Sequence, residues 1–243
     1  MNDVSFETDP FIVSKILTYT RHLNYISERV LLLLNVIDRH PRIMNNDILR
    51  HFSCKPKYVE STSWLIDDIG KTNKRSKSNV ILSIPNEDDG RFYDHILGSY
   101  GEKVLACVKE KFPEFNSAEV QERLAQWTKN YIFMTRELDL VPAELIVLHT
   151  IGSNKQLFLF ELAAILGEPI THYNDANWIR DHYLKSNKRR KSKKLYHLQQ
   201  KRWPRDAENR LEANPLKYKP QHMITLTSEG KRKFAEIENV LSR

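Results

Sequence analysis

The residues of this chain best equipped for chemistry are cations rather than nucleophiles. Lys71-Thr72-Asn73-Lys74-Arg75-Ser76-Lys77-Ser78-Asn79 recurs 114 residues later as Lys185-Ser186-Asn187-Lys188-Arg189-Arg190-Lys191-Ser192-Lys193. Clustered Lys and Arg set up a field that attracts polyanions, and counterion release from phosphates adds binding that is independent of sequence. The charge is unevenly placed. Residues 1–114 hold 16 Lys/Arg and 16 Asp/Glu, so the net charge of +7 arises in residues 115–243, where Lys185 to Arg205 contains ten cations and no acid. That stretch lacks an apolar helical face, which makes an anionic membrane the weaker partner.

Other chemistries find little support. The 7 glycines form neither a dinucleotide fingerprint nor a phosphate-binding loop, and no paired Cys/His spacing suits a metal. Asp94-His95 and Asp181-His182 are sequence neighbours, which point to different faces of a strand or helix and make poor catalytic pairs. Cys54, beside Lys55, reads either as a thiol sensor or as a buried turn residue; Cys107 reads as core. Two cysteines build no disulfide framework, the acidic start MNDVSFETDP is unlike a signal peptide, and no apolar run reaches the ~18 residues of a membrane span. The expectation is a cytoplasmic protein that is not an enzyme and carries no cofactor or metal.

The repeated phrase belongs to a larger repeat. Sliding the chain by 114 residues places Leu31 on Leu145, Leu34 on Leu148, Ile37 on Ile151, Trp64 on Trp178 and Asp67 on Asp181. After 15 extra residues in the second copy, Leu97-Gly98-Ser99-Tyr100-Gly101 aligns with Leu226-Thr227-Ser228-Glu229-Gly230. The chain therefore reads as one unit written twice, as domains 1–114, neutral overall, and 115–243, strongly basic with a long wing at 192–225.

Apolar spacing predicts the elements of each copy. A long helix spans Pro10 to about Asn24 and Ala118 to Glu137, the latter with a stripe of Val120, Leu124, Trp127, Tyr131 and Met134 that reads as core or partner-helix packing. Compact helices follow at Ser27–Arg39 and Val141–Ile151, then short ones at Asn45–Phe52 and Leu159–Leu166, a tight break, and further helices at about Lys57–Ile69 and Thr171–Leu184. Strands are expected at Val80–Ile84 and Phe92–Leu97, and at Leu195–Leu198 and His222–Thr227. Closing helices begin near Tyr100 and Ser228, the second capped by Thr227. The fold class is mainly α with small β wings, α+β.

These residues resemble the MarR-type transcriptional regulators. Leu140 to Leu148 looks like that family's second helix, Glu161-Leu162-Ala163-Ala164-Ile165-Leu166-Gly167 like its third, and Asp89-Gly90-Arg91 with Leu97 and Gly101 like its wing signature; Leu226 to Gly230 matches the sequence after the wing. The second copy departs from the pattern, having no acid-x-Arg at its wing tip. The resemblance implies two tandem winged helix-turn-helix domains in a pseudo-symmetric arrangement like a MarR dimer, similar to two-repeat members of the staphylococcal accessory regulator family. Each basic phrase would then leave a recognition helix where a phosphate backbone passes.

Polar side chains early on a recognition helix read bases, and cations around it fix position on phosphates. The candidates are Lys55, Lys57, Tyr58, Ser61 and Thr62 in the first copy, and Thr171, His172, Asn174, Asn177 and Arg180 in the second. Phosphate contacts are expected from Lys71, Lys74, Arg75, Lys77, Lys188, Arg189, Arg190 and Lys191, with Arg202 and Arg205 in the long second wing. Arg91 is the minor-groove candidate, favoured by a narrow A·T-rich groove. Trp64 and Trp178 read as structural. The expected partner is a quasi-palindromic, A·T-rich DNA duplex, with other regulatory proteins as further partners, bound by a monomer acting as a pseudo-dimer or by a homodimer. Two alternatives stay open: a plasmid or phage replication initiator with paired winged helices, or a regulator whose first domain mainly senses a ligand or binds a protein.

Overall fold

The computed structural model describes residues 9–53, 73–74, 79–167, 198–202 and 222–242. The fold is mainly helical with two small antiparallel sheets, and it divides into two compact units, 1–133 and 134–243. No described helix is long and apolar enough to cross a membrane.

The first unit is built around α2 (Glu28–Arg39). Its start is fixed by Ser27, whose Oγ accepts from the Val30 amide at 3.3 Å, with Glu28 in the first turn and Arg39 in the last, both placed to suit the helix dipole. Val30, Leu31, Leu32, Leu33, Leu34, Val36 and Ile37 are all buried. A helix apolar on every side must be covered on every side. It is covered by α1 (Ile12–Tyr19), α3 (Asn45–His51), α4 (Ser99–Lys111) and α5 (Ala118–Ile132). The sheet of β1 (Ile43–Met44), β2 (Ile81–Pro85) and β3 (Tyr93–Leu97) has the order β1-β3-β2, with Ile43 opposite His95 and Ser83 opposite His95 from the other side.

The stripe on α5 is core: Val120, Leu124, Trp127 and Tyr131 are buried, as is Met134. Ser117 caps this helix, and beyond Ile132 it continues as a π-helical turn, Phe133–Glu137, so the expected span of Ala118 to Glu137 is helical throughout. The repeat register puts α5 at the head of the second copy, yet it packs on α1, α2 and α3 within the first unit.

The second unit repeats the order. In it are α6 (Pro142–Asn154), β4 (Gln156–Leu157), α7 (Leu159–Ile165), β5 (Leu198–Arg202), β6 (His222–Leu226) and α8 (Ser228–Leu241), with sheet order β4-β6-β5. Pro142 occupies the first turn of α6, where its missing N–H is not needed. Leu145, Ile146, Val147, Leu148 and Ile151 are buried, and α6 packs against α7, α8 and β6. Thr227 caps α8 as expected, its Oγ1 accepting from the Gly230 amide at 3.0 Å. The bounds of α7 equal those of α3 shifted by 114, and those of β6 equal those of β3 shifted by 129, the register with its 15 extra residues.

Two expectations change. Cys107 is exposed, because Gly101, Val104, Leu105 and Val108 take the buried face of α4 and leave Cys107 off it. The strand expected at Leu195–Leu198 includes Leu198 and runs on to Arg202, so Arg202 ends a strand opposite His222.

Candidate nucleic-acid interface

Of the candidate DNA-binding side chains, the described residues include Lys74, Arg91 and, by its backbone in β5, Arg202. Lys55, Lys57, Tyr58, Ser61, Thr62, Lys71, Arg75, Lys77, Thr171, His172, Asn174, Asn177, Arg180, Lys188, Arg189, Arg190, Lys191 and Arg205 lie outside them, as do Cys54, Trp64 and Trp178.

The hairpin that carries Arg91 is closed by side chain and backbone together. Asn86 Oδ1 accepts from the amides of Asp88 and Asp89, both at 3.0 Å, and Phe92 N donates to Asp89 O at 2.9 Å while Asn86 N donates to Phe92 O. An asparagine bound to its own turn is the usual reason for its choice there. Arg91 projects from this turn with 85% of its side chain exposed. Its guanidinium is gripped by Asp89, Nε on Oδ1 at 2.9 Å and Nη2 on Oδ2 at 2.7 Å. That pairing holds the Asp89 carboxyl below the usual carboxylate range. Such an exposed pair adds little stability; what it adds is direction. Glu87, Asp88 and Asp89 set three carboxylates at this tip against Arg91 and Arg42, the latter paired with Glu87. The tip is thus far less cationic than Arg91 alone suggests.

The basic phrase is tied to the sheet by a residue that sequence reasoning does not single out. Asn73 Oδ1 accepts from the amides of Val80 and Ile81, at 2.8 and 3.3 Å, and its Nδ2 donates to Ile81 O at 2.8 Å. One amide side chain thereby satisfies both polar groups of the first residue of β2, and the adjoining Lys74 is exposed. The available signal is its identity with Asn187 in the second copy. Asn73→Ala is expected to lower stability by about 1–3 kcal/mol, since these backbone groups lose their partner; thermal unfolding of the variant checks this.

Behind the hairpin a polar network fixes it to α3. His95 is 2% exposed, with Nε2 at 2.5 Å from Asn45 Oδ1 and Nδ1 at 3.1 Å from Ser83 Oγ. Because a carbonyl oxygen only accepts, the ring proton belongs on Nε2, and Nδ1 accepts from the serine. Burial keeps the His95 pKa below its ordinary value, favouring this neutral form. Its neighbour Asp94, also buried, instead accepts from Asn86 Nδ2 at 2.8 Å, so the two side chains serve different partners and form no catalytic pair. In the second copy the positions of Asn45 and His95 are held by Leu159 and Ile224, neither of which can form hydrogen bonds through its side chain.

A cavity of about 640 Å³ lies between α2, α3 and α5, lined by Asn35, Arg39, His40, His51, Gln121 and Thr128 among others. Arg39 Nη1 donates to Gln121 Oε1 at 2.9 Å, and Gln121 Nε2 to Phe115 O at 2.7 Å. Asn35 is only 5% exposed, and its Oδ1 has no hydrogen-bond partner. Among the described residues no group of three or more His, Cys, Asp or Glu side chains is placed to hold a metal ion.

No protein-family model matches this chain, and no curated protein matches it.

Proposed function

We propose that this protein is a sequence-specific regulator of transcription that binds double-stranded DNA through two tandem MarR-like winged helix-turn-helix domains. The observation that carries the reading is the twofold recurrence of one element order: central helix, short strand, short helix, hairpin, closing helix. In each copy a Lys/Arg-rich phrase precedes the hairpin in the sequence. Asn73 supports the placement, since it anchors the first phrase where the hairpin begins. The duplex target is A·T-rich and quasi-palindromic, matching two similar reading heads on one chain, and the setting is the bacterial cytoplasm. Selection from a random duplex pool, followed by band shifts of the selected site over a salt series, tests it. Affinity is expected to fall by about 10³ or more between 50 and 200 mM salt if six or more phosphates are neutralised. Absent binding, or binding indifferent to salt, would overturn the proposal.

A specific observation favours a second role for the first unit. The cavity beside α2, with the unpartnered Oδ1 of Asn35 at its wall, supports ligand sensing there, and the acidic hairpin tip supports a smaller share of DNA binding.

A further inference from the structure

His40 follows the last residue of α2, and His51 is the last residue of α3. Their rings lie 4.7 Å apart between centroids, tilted by 32°. Between them the chain makes a turn through Arg42, whose φ of 63° is left-handed, then forms β1 and α3. The ring pair therefore fastens the two ends of a twelve-residue excursion. We propose that this pair is a proton-operated clasp: neutral, it holds the C-terminal ends of α2 and α3 together, and doubly protonated, it drives them apart.

The surroundings fit this role. Open space borders the pair on two sides, the cavity beneath α5 and a second of about 570 Å³ lined by Pro41, Arg42, Ile43, Asp47 and Arg50, so water reaches both rings. His40 is exposed, whereas His51 is half-buried. The charged groups facing them are Asp38 and Arg39 from α2, Asp47 and Arg50 from α3, Glu122 from α5, and Arg42 from the turn. Four of these are already matched: Asp38 with Lys109 of α4 at 2.8 Å, Asp47 and Arg50 with each other at 2.7 Å, and Arg42 with Glu87. Arg39 has no ion-pair partner among the described residues and donates instead to Gln121, while Glu122 lines the same cavity.

Burial lowers the His51 pKa first, and the neighbouring His40 lowers it further, with Asp47 acting in the opposite sense. Each ring also sits at a helix C-terminus, where the dipole welcomes one cation. Burial and the facing His40 ring thus both resist a charge on His51. A histidine whose folded pKa is depressed stabilises the fold above its unfolded value of about 6.5, and that contribution is lost as pH falls below it.

The test uses the full chain, melted at intervals from pH 7.5 to 5.0, as wild type and as the His40→Gln/His51→Gln double variant. His95 is present in both, so its own pH dependence cancels in the difference. The wild-type midpoint is expected to fall by about 3 °C more than that of the double variant. Ring-proton NMR of the wild type is expected to show the two histidines titrating in two separated steps, and a single step in either single variant, that of His51 in His40→Gln moving toward its ordinary value while burial still holds it below. His51→Phe keeps a ring contact without a proton site, and it should melt with the shallow pH dependence even if the double variant does not fold. Parallel melting curves, or two independent histidines with ordinary titration in the wild type, would overturn the clasp.

Discussion

Gly101→Ala should lower the unfolding midpoint by about 6–12 °C, the equivalent of about 3 kcal/mol at the upper end of overpacking costs. A Cβ at this position would lie 2.2 Å from the Val80 carbonyl oxygen and 3.1 Å from Leu34 Cδ2. Neither neighbour can give way cheaply. Val80 O is backbone and accepts from Gly98 N at 3.0 Å, while Val80 N is held by Asn73. Leu34 is fully buried in the central helix. The remaining escape is for α4 to lift away from α2 and the hairpin, which opens the core that Val104, Leu105 and Val108 close. Gly90→Ala is the matched control, because nothing lies within 4 Å of its added carbon; its midpoint should shift by no more than a surface substitution does. Calorimetric or circular-dichroism melting of the two variants gives the comparison directly.

Converting Lys188, Arg189 and Arg190 together to alanine should weaken DNA binding by about a hundredfold at physiological salt and reduce the steepness of its salt dependence by up to about three, one for each phosphate that is no longer neutralised. The corresponding change at Lys74, Arg75 and Lys77 should cost less. In the first copy the nearby hairpin carries Glu87, Asp88 and Asp89 with Arg91 already bound to Asp89, and the copy as a whole is neutral. In the second copy seven further cations between Lys185 and Arg205 reinforce the field. Band shifts of both triple variants on the selected site separate the outcomes. Equal weakening would mean two equivalent reading heads, and undiminished binding by the Lys188 triple variant would remove the basic phrase from the interface.

Much of the framework is legible in the sequence, and the reason is repetition. A helix such as α3 is too short for periodicity to define it alone, but its second appearance as α7 at a constant offset removes the ambiguity. Caps help at the ends: Thr227 is chemically suited to its place and performs as expected. The parts that sequence does not reveal share a cause. β1 and β4 are two residues each, too short to show any alternation, and they exist only because β3 and β6 offer an open edge. The network of Asn45, Ser83 and His95 joins three segments spread over 50 residues, and nothing local to any of them announces it. Cys107 misleads because it lies three residues from Val104, a spacing shared by the true inward residues on the other flank of the helix. Asn73 is the instructive case. Within a run of cations it draws no attention, yet its amide is what fixes the start of the run's neighbouring strand.

Arg202 and His222 are cross-strand neighbours, so whatever length of chain joins them starts and finishes at adjacent backbone positions. The entropy of closing such a span grows only with the logarithm of its length. An ancestor could therefore have acquired those additional residues in a single step with little thermodynamic penalty, leaving the ladder beneath them undisturbed. For the same reason the junction is a natural port: a fluorescent reporter or affinity peptide grafted between these two residues would inherit a ready-made pair of anchors.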